Sequence, residues 1–188
     1  MSHVATLKMA DGQPWTVANV EMLRHALTRF CPNLELVEQN TYRTWKADYG
    51  RLARDYPVPE GMTEAEVGEN ATWVIRVSDD YLRSQGRSRN RAIPSCLPYE
   101  IGLVRQPDGS FLPVVDFYNC ANGLFAVPEL TNNGRVGTNL EPVARLSMYY
   151  NTETQIQAAE QAQLPWDMQT LEDGSQLLSI ETGEGGGW

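Results

Sequence analysis

The chain has 188 residues, 15 Lys+Arg against 24 Asp+Glu, a formal net charge of −9 and 41% hydrophobic residues, with a pI near 4.7. A chain of this length buries roughly 70% of the surface its unfolded form exposes, so a core needs neither disulfides nor a structural metal. The apolar content, the lack of a glycine period and only three cysteines exclude disordered, collagen-like and disulfide-rich classes, and the acidic balance disfavours a nucleic-acid coat protein.

In chain order, residues 3–9, with Val4, Ala5 and Leu7, read as a short first strand that ends at the Asp11-Gly12 turn. Asn19 is a helix N-cap, and Val20, Leu23, Leu27 and Phe30 behind it recur at helical spacing. Glu21 in the first turn and Arg29 near the last suit the helix dipole, and Pro32 stops the run. Leu34 to Arg43 alternates like a half-buried second strand. Within residues 44–70, Trp45, Tyr49, Leu52 and Tyr56 have helical spacing until Pro57, Pro59 and Gly61, which predicts a short helix and then an exposed acidic loop. Ala71 to Ser78 has the β-branched and aromatic density of a central strand, and Asp79 to Pro98 reads as long, polar and irregular.

Tyr99 to Gln106 and Ser110 to Tyr118 are two apolar runs joined by Pro107-Asp108-Gly109, a hairpin signal. Asn119 to Asn139 is rich in Asn and Gly and reads as a surface insertion. Leu140-Glu141-Pro142 then opens the longest helix, with Val143, Leu146, Tyr149, Tyr150, Thr154 and Ile156 as its inward stripe and Pro165 as its stop. Asp167 to Leu171 and Gln176 to Glu181 flank Asp173-Gly174 as a second hairpin, and residues 183–188 form a flexible Gly-rich tail. The order predicts an α+β fold: one mainly antiparallel sheet, two main helices on one face and long irregular loops, in a single domain over residues 1–182.

No basic segment followed by a long apolar run opens the chain, and no apolar run approaches the roughly 18 residues of a membrane span, so a cytoplasmic protein is expected. Cys31, Cys96 and Cys120 are too widely spaced for a zinc pattern and read as reduced, buried or half-buried thiols. Residues 1–105 carry 13 Lys+Arg and 13 Asp+Glu, whereas residues 106–188 carry 2 and 11. The C-terminal part therefore holds the whole net charge; it repels duplex nucleic acid and membranes, and it would steer a basic partner surface or simply confer solubility.

Several segments together resemble an open-reading-frame family of unestablished activity in plastid and cyanobacterial genomes and in bacteriophages. The resemblance rests on Met1-Ser2-His3, on Tyr99-Glu100-Ile101-Gly102-Leu103-Val104, on Leu112-Pro113-Val114-Val115-Asp116-Phe117-Tyr118 and on Tyr149-Tyr150-Asn151, with Leu171-Glu172-Asp173-Gly174-Ser175 adding a little. Residues 44–70, the Arg-rich segment and the Asn/Gly-rich insertion look longer than in plastid-type members, so the resemblance implies a phage-type member, acting in the host cytoplasm. Cyanobacterial members are similar in genomic setting to partners of an AAA-type ATPase, which implies an accessory or assembly role.

The best local candidate site is the segment holding Arg83, Arg87, Ser88, Arg89 and Arg91, because Arg forks match phosphate or carboxylate oxygens and nearby Ser and Gly N–H groups complete an anion nest. A solvated loop paired with the acidic C-terminal part explains the same residues. The segment fits neither G-x-G-x-x-G nor G-x-x-x-x-G-K-[ST]. Asn133 and Arg135, in the segment 131–139, could hydrogen-bond a base or sugar, although this composition also makes ordinary turns. His3 near the terminus, His25 beside the helix stripe and Asp116 inside an apolar run are the remaining acid–base candidates, each more easily explained structurally. Trp188, on its Gly-rich tether, resembles an anchor for a partner.

No catalytic or metal-ligand motif is present, so neither an enzyme nor a cofactor is expected. The leading expectation is a binding or accessory protein that acts through protein contacts, modulating a host system if phage-encoded, with a homo-oligomer also open. The alternative is a small-molecule binder that sequesters a nucleotide-like anion through the Arg-rich segment.

Overall fold

The computed structural model describes residues 4–5, 14–42, 69–86, 100–116, 127–130, 141–171 and 176–182. Helix α1 (Val20–Phe30) forms where the periodicity places it, and the Asn19 side chain accepts the Glu21 and Met22 N–H groups at 2.9 and 3.2 Å. Such a cap contributes about 1 kcal/mol. Leu23, Ala26, Leu27 and Phe30 make its buried stripe.

Five strands form the main sheet: β1 (Val4–Ala5), β2 (Leu34–Glu38), β5 (Trp73–Val77), β6 (Ile101–Arg105) and β7 (Phe111–Asp116). Their spatial order is β1-β7-β6-β5-β2, and every neighbouring pair is antiparallel. The predicted α+β architecture is present, with β6 and β7 joined across a turn in which Gly109 takes φ +87°, a conformation that favours glycine. Register places Leu34, Leu36, Ile75, Val77, Ile101, Leu103 and Val115 on one face. All seven are buried in the core cluster with α1 and α3 (Glu141–Gln161), the long helix expected after Leu140.

Four expectations are corrected. The strand expected over residues 34–43 is two: after Glu38 the chain leaves the sheet, and β3 (Thr41–Tyr42) pairs with β4 (Glu69–Asn70). This switch brings the Tyr42 ring over Gly102 on the sheet face away from the helices, where a side chain on residue 102 would overlap the ring. The region taken as irregular from Asp79 begins with helix α2 (Asp79–Ser84), capped by Ser78, whose hydroxyl accepts the Tyr81 N–H at 3.2 Å. In six residues only Leu82 is buried, too little for a periodic signal. Within the Asn/Gly-rich insertion a 3₁₀ turn (Pro128–Leu130) puts Val127 and Leu130 into the core. The predicted second hairpin, β8 (Trp166–Thr170) and β9 (Gln176–Ile180), forms a two-stranded sheet of its own and adds nothing to the main one.

The outer side of β7 is occupied by β1 and by Val17, which exchanges backbone hydrogen bonds with Phe111 at 2.8 and 2.9 Å. On β2, the Leu36 carbonyl accepts a hydrogen bond from Arg24 Nη1 at 3.2 Å, which occupies that acceptor on the opposite edge. Among the described residues no helix is long and apolar enough to cross a membrane.

Tyr42 and Gly102 give the first test. Gly102→Ala should destabilise the fold by about 1–3 kcal/mol in urea unfolding, the usual cost of overpacking. Combined with Tyr42→Ala, it should cost markedly less than in the wild-type background.

Candidate functional site

Of the residues singled out for anion binding, Arg83 alone is described. It lies in α2 with its guanidinium on Asp80 one turn earlier, both side chains largely in solvent. Arg87, Ser88, Arg89, Arg91, Asn133, Arg135 and Trp188 lie outside the described residues, as do His3, Cys96, Cys120 and the helix expected near Trp45. His25 is on the exposed side of α1, and Asp116 ends β7 opposite Val4. Among the described residues no group of three His, Cys, Asp or Glu could hold a metal ion.

Two polar clusters, neither anticipated, sit where α1 and α3 meet. In the first, Glu153 occupies the inward position that the periodicity gave to Thr154, which is exposed instead. Glu153 has 0% exposure; Arg29 Nε donates to its Oε2 at 2.7 Å and Gln157 Nε2 to its Oε1 at 3.0 Å. The Arg29 guanidinium also lies 5.4 Å from the ring centroid of Trp166, the first residue of β8. One side chain thus ties α1 to α3 and to the hairpin. The spacing from Leu146 and Tyr150 to residue 153 was readable in the sequence, but the apolar pattern passed over a carboxylate.

The second cluster surrounds the 3₁₀ turn. Glu129 Oε1 accepts from Asn33 Nδ2 at 2.7 Å, and its backbone carbonyl accepts the Tyr149 hydroxyl at 3.1 Å. Phe30 stacks on Tyr149 with centroids 5.0 Å apart and planes 10° from parallel. Burial first, and then the Glu129 charge, push the Cys31 thiol up from 9.0 to about 12, which makes it a packing group and a poor nucleophile. Burial, with Cys31 next, also holds Tyr149 above the usual phenol range, opposed by the charge and hydrogen bond of Arg145.

The exposed feature that these clusters support is the hairpin. Trp166, Met168 and Leu178 pack against the core, so one face of the small sheet is anchored. The other face presents Asp167, Gln169, Leu177 and Ser179, with Leu171 and Glu181 beyond the strand ends. Leu171 and Leu177 are 45% and 48% exposed, large values for leucine on an ordered element. Residues 146–188 contain seven Asp or Glu and no Lys or Arg, so the stretch of chain that carries this apolar pair has one sign of charge.

Comparison with known proteins gives no external anchor. The chain matches no family model, no curated protein and no solved structure.

Two measurements test this geometry. Arg29→Ala strands a buried carboxylate and should cost about 3 kcal/mol, the lower end for such a loss because the arginine reaches water; Glu153→Gln with Arg29→Ala should recover part of it in a double-mutant cycle. Folding keeps the Cys31 thiol protonated, so its contribution is complete below pH 9.0 and is lost as pH rises toward about 12. Urea unfolding above pH 9 should show stability falling, with a shallower fall in Cys31→Ala.

Proposed function

We propose that this chain is a non-catalytic binding protein that acts through protein contacts, with the β8–β9 hairpin as its docking surface. The observation that carries this reading is a sheet of only two strands, anchored on one face, whose outer edges have no backbone partner among the described residues. A soluble chain ordinarily covers, shortens or charges such edges. Here the exposed leucines lie beside them in an acidic surround, the composition of an interface centre with a polar rim.

Charge supports the same reading, since the C-terminal part holds all the excess negative charge and would steer a basic protein surface toward the hairpin. The accessory role implied by the resemblance to phage and cyanobacterial open reading frames belongs to this proposal. Of the residues in the competing anion-binding reading, Arg83 is described, and its guanidinium is engaged by Asp80.

A photo-crosslinking residue at Leu177 should yield a discrete protein adduct in the source cells, while one at Asp108, in the exposed turn between β6 and β7, should not. Leu171→Ser with Leu177→Ser should leave folding stability within about 0.5 kcal/mol. The same change should weaken binding to the captured protein about tenfold or more. Equal adducts from both positions, or unchanged affinity in the double variant, would overturn the reading.

A further inference from the structure

We infer that the outer edge of β9 takes up an extended, basic polypeptide segment as a third strand. This rests on the hairpin reading above and adds the partner's conformation, chemistry and register.

Ladder parity identifies the groups on offer. The Glu181 N–H donates to the Pro165 carbonyl at 2.9 Å, so 165 and 181 are a hydrogen-bonded pair in the Trp166–Ile180 register. In an antiparallel ladder such pairs alternate with pairs whose backbone groups point away. Asp167 with Ser179 and Gln169 with Leu177 therefore bond inward, and Gln176, Leu178 and Ile180 direct N–H and C=O outward along β9. The three are evenly spaced along one edge, the arrangement that strand addition requires.

The two edges are not equivalent. β8 carries Asp167, a charge that discourages further pairing. β9 reads Gln-Leu-Leu-Ser-Ile, without a charge or a proline to protect it. Among the described residues of the main sheet, β2 carries Glu35 and Glu38 and has its Leu36 carbonyl taken by Arg24, and β7 is flanked by β1 and Val17.

The occupant follows from what would flank it. On the exposed face an added strand runs beside Leu177, Ser179 and then Glu181, with Asp167 one strand further, opposite Ser179. An apolar residue beside Leu177 and Lys or Arg toward Glu181 match this order. A second copy of this chain matches less well, because residues 146–188, which carry seven Asp or Glu and no Lys or Arg, would meet the same segment of the other copy in a protein of net charge −9.

The test uses the full chain and short acetylated, amidated peptides that alternate Val with Arg, their Glu-for-Arg counterparts, and a version N-methylated on the residues that face the edge. The Arg peptide should bind by fluorescence anisotropy and shift the Gln176, Leu178 and Ile180 amides in ¹H–¹⁵N spectra. Affinity should fall about tenfold or more with the Glu peptide and with rising salt. Gln176→Pro, which removes an outward N–H that the hairpin does not use, should weaken binding about tenfold, with thermal melting confirming the fold. The N-methylated peptide gives the same readout on the unaltered protein.

Equal binding of the N-methylated peptide, or amide shifts confined to other elements, overturns strand addition. Self-association that Gln176→Pro abolishes also overturns it, by naming a second copy as occupant. If the peptides fail while the Leu177 crosslink still gives its adduct, strand addition falls and the docking surface stands; if both fail, both fall.

Discussion

A carboxylate with no exposure to water sets the terms for this fold. Glu153 faces inward from α3, where an apolar residue would satisfy the periodicity, and its charge is tolerable only because Arg29 and Gln157 donate to it. Arg29 in turn must hold its guanidinium between α3 and the Trp166 ring. The buried ion pair adds a geometric requirement to the α1–α3 contact, because removing Arg29 leaves the buried carboxylate without its charged partner. The position of the hairpin is therefore coupled to the packing of the two long helices.

The second polar cluster lies at the same C-terminal end of α1. Glu129 binds the turn after α1 through Asn33 and receives Tyr149 from α3, while Tyr150 accepts the Asn19 N–H at the start of α1 at 3.1 Å. Both ends of α1 are thus tied to groups far away in the chain. Around these ties, Phe30, Tyr149 and Cys31 supply burial, and the low polarity they create raises the thiol and phenol. Reactive chemistry is a poor use for such groups, and their value is positional.

Rigidity and exposure then divide between two sheets. In the main sheet Val17 and β1 flank β7, Arg24 takes one carbonyl on β2, and the helix-facing side is filled. The hairpin shares the core through one face but keeps its backbone edges and two leucines outward. A recognition surface on a pre-ordered element spends little of its binding energy on ordering itself, which is the physical advantage of presenting an edge from an anchored hairpin.

Local signals in the sequence determined much of the fold. The Asn19 cap and its helix, the turn at Gly109, the pairing of β8 with β9, the long helix and the α+β class all follow from short-range spacing and turn chemistry. Glu153 lies seven residues after Leu146 and three after Tyr150, a helical spacing whose apolar pattern passes over a carboxylate. Tertiary structure alone decided the rest. The partner of Glu153 lies 124 residues away, and Tyr42 covers a glycine 60 residues later in the chain, because the chain leaves the sheet after Glu38. Whether the last hairpin joins the main sheet is a property of assembled strands that no local pattern encodes. The hairpin was legible in the sequence; its open edge was not.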